Sequence, residues 1–350
     1  ITMAELPRYL PSRSYTWNYE NAPDCVEREQ PEVPGEWNFC GLPVNSPLGI
    51  AAGPLLNGQW CLYYGSLGFD VVTYKTVRSR ARGCYDLPNL QPVDCTPLHG
   101  DEPPILASDT MQGSWAISFG MPSQPPDVWR EDIESTRKKL AKGKLLSVSV
   151  VGTTQDGWSI ADLANDYAQC ANWAVQSGAD CVELNLSCPN VTACEGQLFQ
   201  RPADAALVAA ATRDVIGSTP LLAKIGFVKH EEDAASLIDA LSNSVDCFAT
   251  PNCVPAKIVD HTGHPQFGGQ VRGIGGNAIQ QASLAIVEMF ADIIRRQGSQ
   301  ITLVGIGGIS SVEHVQRHLS AGAHAVHMAT AAMVEPDIAI RLRRDLAAQS

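Results

Sequence analysis

Eight short apolar runs alternate with eight helix-period stretches along the chain, and no other feature of the sequence restricts the fold as strongly. The runs are Ser46–Gly53, Phe69–Val77, Leu145–Val151, Ala179–Leu186, Pro220–Phe227, Ser244–Thr250, Ile301–Gly308 and Ala323–Thr330. Helical patterns fall near Gly58–Leu67, Asp127–Lys142, Ile160–Gln176, Pro202–Ile216, Glu231–Leu241, Asn277–Gln297, Ser311–Ser320 and Pro336–Ala347. Runs such as Leu145–Val151 and Pro220–Phe227 are largely apolar, as parallel strands covered on both faces must be. The reading is an α/β chain, a closed (β/α)8 TIM barrel. A doubly wound open sheet is the alternative, because alternation alone does not prove closure.

At 350 residues the chain suits one such barrel. Residues 1–38 read as an N-terminal arm, with the Pro/Glu-rich stretch Glu27–Glu36 lying on a surface, and residues 39–350 as the barrel. Two long connections, Arg78–Pro126 and Pro251–Gly276, follow strand C-termini. At that face of a barrel they are expected as lids and substrate walls, or else as plain surface insertions.

Composition narrows the function classes. A formal net charge of −12 with no basic run opposes nucleic-acid binding. No stretch reaches the ~20 apolar residues of a membrane span, and no signal-like segment opens the chain, so a soluble cytoplasmic protein is expected. Of eleven cysteines, Cys170, Cys181 and Cys247 sit inside apolar segments as small hydrophobes, and none is spaced as CxxC. No metal site is expected.

Leu303-Val-Gly-Ile-Gly-Gly-Ile-Ser-Ser311 ends the seventh strand in glycines before a helix whose N-cap is Ser310 or Ser311. Amides exposed at such a turn can cradle a phosphate, although a tight strand-to-helix corner would look the same. The next strand ends in His327-Met-Ala-Thr-Ala, which sets a hydroxyl beside the same corner. Gly273-Ile-Gly-Gly276 offers a third close backbone approach and does not fit a dinucleotide fingerprint.

The fourth strand ends Val182-Glu-Leu-Asn-Leu-Ser-Cys-Pro-Asn190, where alternation sends Asn185 and Ser187 to one face. Two amides beside one thiol, stiffened by Pro189, can hydrogen-bond a planar polar ring. This run resembles the catalytic strand of class 1 dihydroorotate dehydrogenases and of the flavin domain of dihydropyrimidine dehydrogenases. The resemblance runs from about Phe39 to Met333 and includes Ala51-Ala-Gly53, Tyr74-Lys-Thr76, Ser118-Phe-Gly-Met-Pro122, Ala223-Lys224, Asn252, Gly273–Gly276, Gly305–Gly308 and Ala329-Thr330.

That resemblance implies an FMN enzyme oxidising a CH–CH bond of a dihydropyrimidine-type ring, dihydroorotate first, in pyrimidine biosynthesis. Cys188 takes the role of base, with Lys75 beside it. Asn185, Asn190, Asn252, Ser118, Gly120 and Met121 would hold the substrate. Ala51, Ala52, Gly53, Lys75, Thr76, Lys224, Gly275, Gly276, Gly307, Gly308, Ala329 and Thr330 would hold the flavin. Lys224 would stand near its electron-rich edge, where a buried cation finds a partner. A homodimer is implied, and the electron acceptor stays open among fumarate, quinone, oxygen and a partner protein. A redox-silent barrel, an aldolase or isomerase using Lys224 as Schiff-base nucleophile, is the alternative of another class.

The chain departs from the family in one loop. Ile117 and Ser123 stand where the family carries asparagines, so a contact to the orotate ring and carboxylate is missing, with Ser114, Ser118, Ser123 and Lys75 as nearby candidates to replace it and a one-residue shift of the loop as the alternative.

Overall fold

The computed structural model describes residues 5–95, 97–187 and 197–349. Eight parallel strands close into a barrel: β1 (Leu48–Ile50), β2 (Val71–Val77), β3 (Leu145–Val150), β4 (Cys181–Asn185), β5 (Leu221–Lys224), β6 (Cys247–Thr250), β7 (Thr302–Ile306) and β8 (Ala325–Met328). They stand in chain order around the ring, and Val326, His327 and Met328 of β8 pair in parallel with Leu48, Gly49 and Ile50 of β1. That seam excludes the open sheet.

The surrounding helices are α1 (Gly58–Ser66), α2 (Pro126–Lys139), α3 (Ile160–Gln176), α4 (Pro202–Ile216), α5 (Glu231–Leu241), α6 (Gln280–Arg296), α7 (Val312–Ser320) and α8 (Ile338–Ala348). Local chemistry sets several starts. The Asn57 side chain accepts from Trp60 N ahead of α1, Ser159 and Asp162 form a reciprocal capping box on α3, and Ser311 caps α7 through His314 N. Pro126 opens α2 and Pro202 opens α4, where a missing N–H has no cost.

Side chains alternate along each strand, and the lumen changes character with height. At the bottom Val71, Leu145, Cys181, Leu222, Cys247, Val304 and Ala325 pack with Phe39 and Val44 in one apolar cluster. Phe39 and Val44 come from a two-stranded hairpin, Trp37–Phe39 with Leu42–Val44, which plugs this end. Each fully buried apolar side chain of this kind stabilises by about 1.5–3 kcal/mol. One step up, the inward positions become Thr73, Ser147 and Glu183, and one step further Lys75, Ser149 and Asn185.

The two long connections are more than loops. They supply the six strands of a second sheet, ordered Val254–Ala256, Arg272–Gly276, Ser114–Ile117, Leu90–Asp94, Ile105–Ala107 and Ile258–Val259. Its inner layer, including Val93, Ala116, Val254, Ile258 and Ile274, is a separate apolar core. The sheet therefore stands as a rigid wall over the C-terminal ends of the barrel strands.

The arm packs onto that wall and onto the barrel. Tyr9 and Tyr15 meet the ring of Phe119 edge-on, at centroid distances of 5.8 and 6.1 Å. Further along, Gln30 bonds to Gly65 O, Ser66 O and Lys144 Nζ, and Pro31 O accepts from Arg343 Nε at 2.8 Å. These contacts surround Asp70, which is fully buried and accepts from Lys144 Nζ at 3.0 Å, Arg343 at 2.7 Å and Ser46 Oγ at 2.5 Å.

Candidate active site

A cavity of ≈ 730 Å³, its open mouth included, lies at the C-terminal ends of β6, β7 and β8. Of the residues singled out in the sequence, Asn252, Gly275, Gly276, Gly307, Gly308, Ala329 and Thr330 line it, together with Ile117. At its inner end the chain turns sharply after β7, with positive φ at Gly307 (118°) and Gly308 (69°). A Cβ on Gly308 would stand 2.5 Å from Gln280 Cβ, so only glycine fits. Among the described residues the amides of Gly307, Gly308 and Ile309 find no acceptor. Beside them the Thr330 hydroxyl, in the first turn of a short helix Thr330–Val334, borders the same space. Successive unbonded amides and a hydroxyl form an anion nest, which fits a phosphate.

Gly275 keeps the middle of the cavity narrow. A Cβ there would lie 3.1 Å from Ile117 Cδ1 and 3.2 Å from Thr330 Oγ1, whereas a Cβ on Gly53 would meet nothing within 4 Å. A flat ring can enter such a slot against bare backbone. The seam supplies its floor, where Ala51 N donates to Met328 O at 2.9 Å.

Lys224 closes β5 at 5% exposure, and among the described residues its Nζ makes no hydrogen bond or ion pair. A buried ammonium without a partner is costly, so its position points to a ligand that is electron-rich on this side. Lys75 Nζ donates to Gly53 O at 3.2 Å and lies 4.6 Å from the centre of the Phe119 ring. Asn185 is held from both ends. Its Nδ2 donates to Thr76 Oγ1 at 3.1 Å and approaches Met121 Sδ at 3.5 Å, its backbone O accepts from the Tyr167 hydroxyl, and Thr76 Oγ1 shares a hydrogen bond with Ser149. Asn252 Nδ2 donates to Ser187 O, which ties the end of β6 to the end of β4. Gly120 must remain glycine at φ 75°, since a Cβ would run into the Tyr85 ring at 2.7 Å. Ala52 is buried at the start of the turn after β1. Cys188 and Asn190 lie outside the described residues.

Each of the three serines that stand near Ile117 already has a hydrogen-bond partner. Ser114 Oγ accepts from Ala278 N, Ser118 Oγ accepts from Arg272 Nε at 2.9 Å, and Ser123 Oγ accepts from Arg78 N while donating to Gln124 O. The wall is therefore apolar at Ile117 itself, with Ser114 and Ser118 engaged only as acceptors.

Two residues in the lumen below Lys224 escaped the sequence reading. Glu183 and His327 are fully buried, and neither carboxylate oxygen nor either ring nitrogen has a hydrogen-bond partner among the described residues. His327 stacks on Phe39 at 5.4 Å and lies over Gly49, where a Cβ would approach its ring to 2.3 Å. Burial, and then the nearby Lys224, lower its pKa to about 3. Burial raises the Glu183 carboxyl, opposed by Lys224 and then by the nearby Ser149 hydroxyl, which falls short of hydrogen-bond geometry. Glu183 shares the inward face with Asn185 two residues on, so the strand period was the signal that could have found it.

The comparisons with known proteins agree with this geometry. A family model described as dihydroorotate dehydrogenase matches residues 36–349. A dihydroorotate dehydrogenase of Dictyostelium discoideum is 32% identical to this chain over 361 residues, covering 96% of each. One named for quinone, from Bordetella avium, is 27% identical and covers 86% of this chain and 81% of its own. A crystal structure of DHODH from Eimeria tenella in complex with ferulenol shares the fold at a TM-score of 0.74 and 18% identity, over 95% of this chain and 88% of that one.

Proposed function

Because the chain belongs to the dihydroorotate dehydrogenase family and is thus an oxidoreductase, we propose that it holds FMN in this cavity and oxidises dihydroorotate to orotate. The observation that carries the flavin is the cavity ending in an anion nest, with Lys224 buried at the end of the neighbouring β5 and making no hydrogen bond or ion pair among the described residues. The redox-silent alternative for Lys224 falls with the family.

Bound FMN supplies the hydride acceptor. The ammonium of Lys224 would favour a ligand that gains negative charge near β5, without reorganisation of the protein. The amides of Gly307, Gly308 and Ile309 and the Thr330 hydroxyl would hold the phosphate. Asn185, locked between Thr76 and Met121, and Asn252, tied to Ser187, present amides to a planar ring without loss of side-chain freedom on binding. Cys188 takes the proton from the ring carbon next to the one that loses hydride. A free thiol has a pKa of about 8.5, so the thiolate fraction sets the rate of this step.

One observation favours a second substrate class. With Ile117 apolar where the family carries an asparagine, the wall suits a dihydropyrimidine without a carboxylate. We further place the chemistry in a cytoplasmic homodimer. The family resemblance supports the dimer, and nine described cysteines without a disulfide suit a reducing compartment.

The test is anaerobic mixing of FMN-loaded protein with dihydroorotate and, separately, with dihydrouracil. Bleaching of the flavin band is expected. Cys188→Ala should keep the flavin and slow bleaching by about 10² or more. A yellow protein that neither compound reduces would sink the proposal.

A further inference from the structure

An acidic side chain stands where the phosphate nest opens. Glu335, just past the short helix Thr330–Val334, lines the same cavity as Gly307, Gly308, Ser310 and Thr330. A carboxylate sharing a wall with a phosphate dianion opposes binding unless its charge is cancelled. Arg341, on α8, does this with a two-pronged grip. Its Nε reaches Glu335 Oε1 at 2.7 Å and one terminal nitrogen reaches Glu335 Oε2 at 2.7 Å. The same terminal nitrogen donates to Ser310 O at 3.2 Å, so one guanidinium fastens the segment after β7 to the segment after β8. The planar fork matches a carboxylate in a way that lysine cannot. Asp345 lies further off, 3.9 Å from Arg341.

We propose that Arg341 is a positioning residue for the phosphate group of the cofactor: it neutralises the Glu335 carboxylate on the cavity wall that the phosphate nest shares. The inference rests on the flavin reading above and goes beyond it, because neither residue touches the reacting atoms. Glu335 and Arg341 are each about two-fifths exposed, so solvent screens the pair and its effect on affinity is moderate. What matters is the sign. Removing the arginine leaves a carboxylate facing the phosphate, whereas removing both leaves none.

The experiment titrates apoprotein with FMN and with riboflavin, which carries the same ring and no phosphate, and follows quenching of flavin fluorescence. Arg341→Ala should weaken FMN by about tenfold and leave riboflavin within about twofold, a pattern that loss of local packing would not produce. Glu335→Gln should hold FMN at least as tightly as wild type. The double variant Glu335→Gln/Arg341→Ala should recover most of the lost affinity. Equal weakening of both flavins by Arg341→Ala, or a double variant as weak as the single, overturns the inference and leaves the flavin reading intact. Wild-type apoprotein that binds neither flavin overturns both.

Discussion

Replacing Lys224 with methionine separates what the cavity requires when empty from what it requires when filled. Lys224 is 5% exposed and, among the described residues, has no hydrogen-bond or ion-pair partner; the buried Glu183 carboxyl nearby offsets only part of its charge, so in apoprotein that charge is a net burden. Methionine keeps the length and apolar stem and removes that charge. Relief of one buried cation that lacks a hydrogen-bonded counter-ion should stabilise apoprotein by about 1–3 kcal/mol, a rise in Tm of about 1–4 °C for a chain of this length. FMN reverses the order. A charge-assisted hydrogen bond contributes about 1.5–3 kcal/mol, so its loss weakens FMN by about a hundredfold. At free FMN a thousandfold above the wild-type Kd, wild type gains about 4.1 kcal/mol from binding and the variant about 1.4. Calorimetric melts of both proteins, with and without FMN, should therefore show the variant ahead when apo and level or behind when loaded. A variant that melts below wild type as apoprotein, or gains as much from FMN, refutes the argument that this lysine is held for the cofactor.

Other substitutions probe the remaining features. Ile117→Asn restores an amide to the apolar wall and should lower KM for dihydroorotate about fivefold, with kcat within about twofold, in steady-state assays; unchanged KM would show that this wall does not face the substrate. His327 has its pKa lowered from 6.5 to about 3, so the unfolded chain takes up a proton over that window that the folded chain refuses. Stability should fall as pH drops from about 6.5, by up to ~1.4 kcal/mol per pH unit for this one group, and His327→Gln should flatten the profile of urea midpoints; identical slopes would rule the residue out. Asp70→Asn strips the shared acceptor from Lys144 and Arg343 and should cost about 3–5 kcal/mol in urea unfolding, a change under about 1 kcal/mol refuting the buried network.

Periodicity made the barrel legible. Every one of the eight runs contains its barrel strand, and Ile160–Gln176, Pro202–Ile216 and Glu231–Leu241 coincide with helices end to end. Such elements depend on local pattern plus burial, both written in a stretch of chain. The second sheet was not legible for the opposite reason. Its strands have two to five residues, Pro92 and Pro255 interrupt two of them, and Arg272–Gly276 is mostly glycine. Their pairing is non-local, with Gly273 set beside Ile117. Within the site, glycines and the strand-end amides announced themselves, because turns and polar residues inside apolar runs are conspicuous. The engagement of Ser114, Ser118 and Ser123 with other partners was hidden, since hydrogen-bond partners are chosen by tertiary geometry alone.

The seam between the first and last barrel strands has a temporal consequence. Ala51 is within the first turn of barrel to be synthesised, yet its amide is satisfied by Met328 in the last strand, and the phosphate nest spans the loops after β7 and β8. A ribosome-bound chain can therefore form most of its secondary structure and still offer no complete flavin pocket until Met328 and the short helix after it have left the exit tunnel. Cofactor capture is thus a report that synthesis has passed that point, and flavin fluorescence on stalled nascent chains of increasing length should change in one step there.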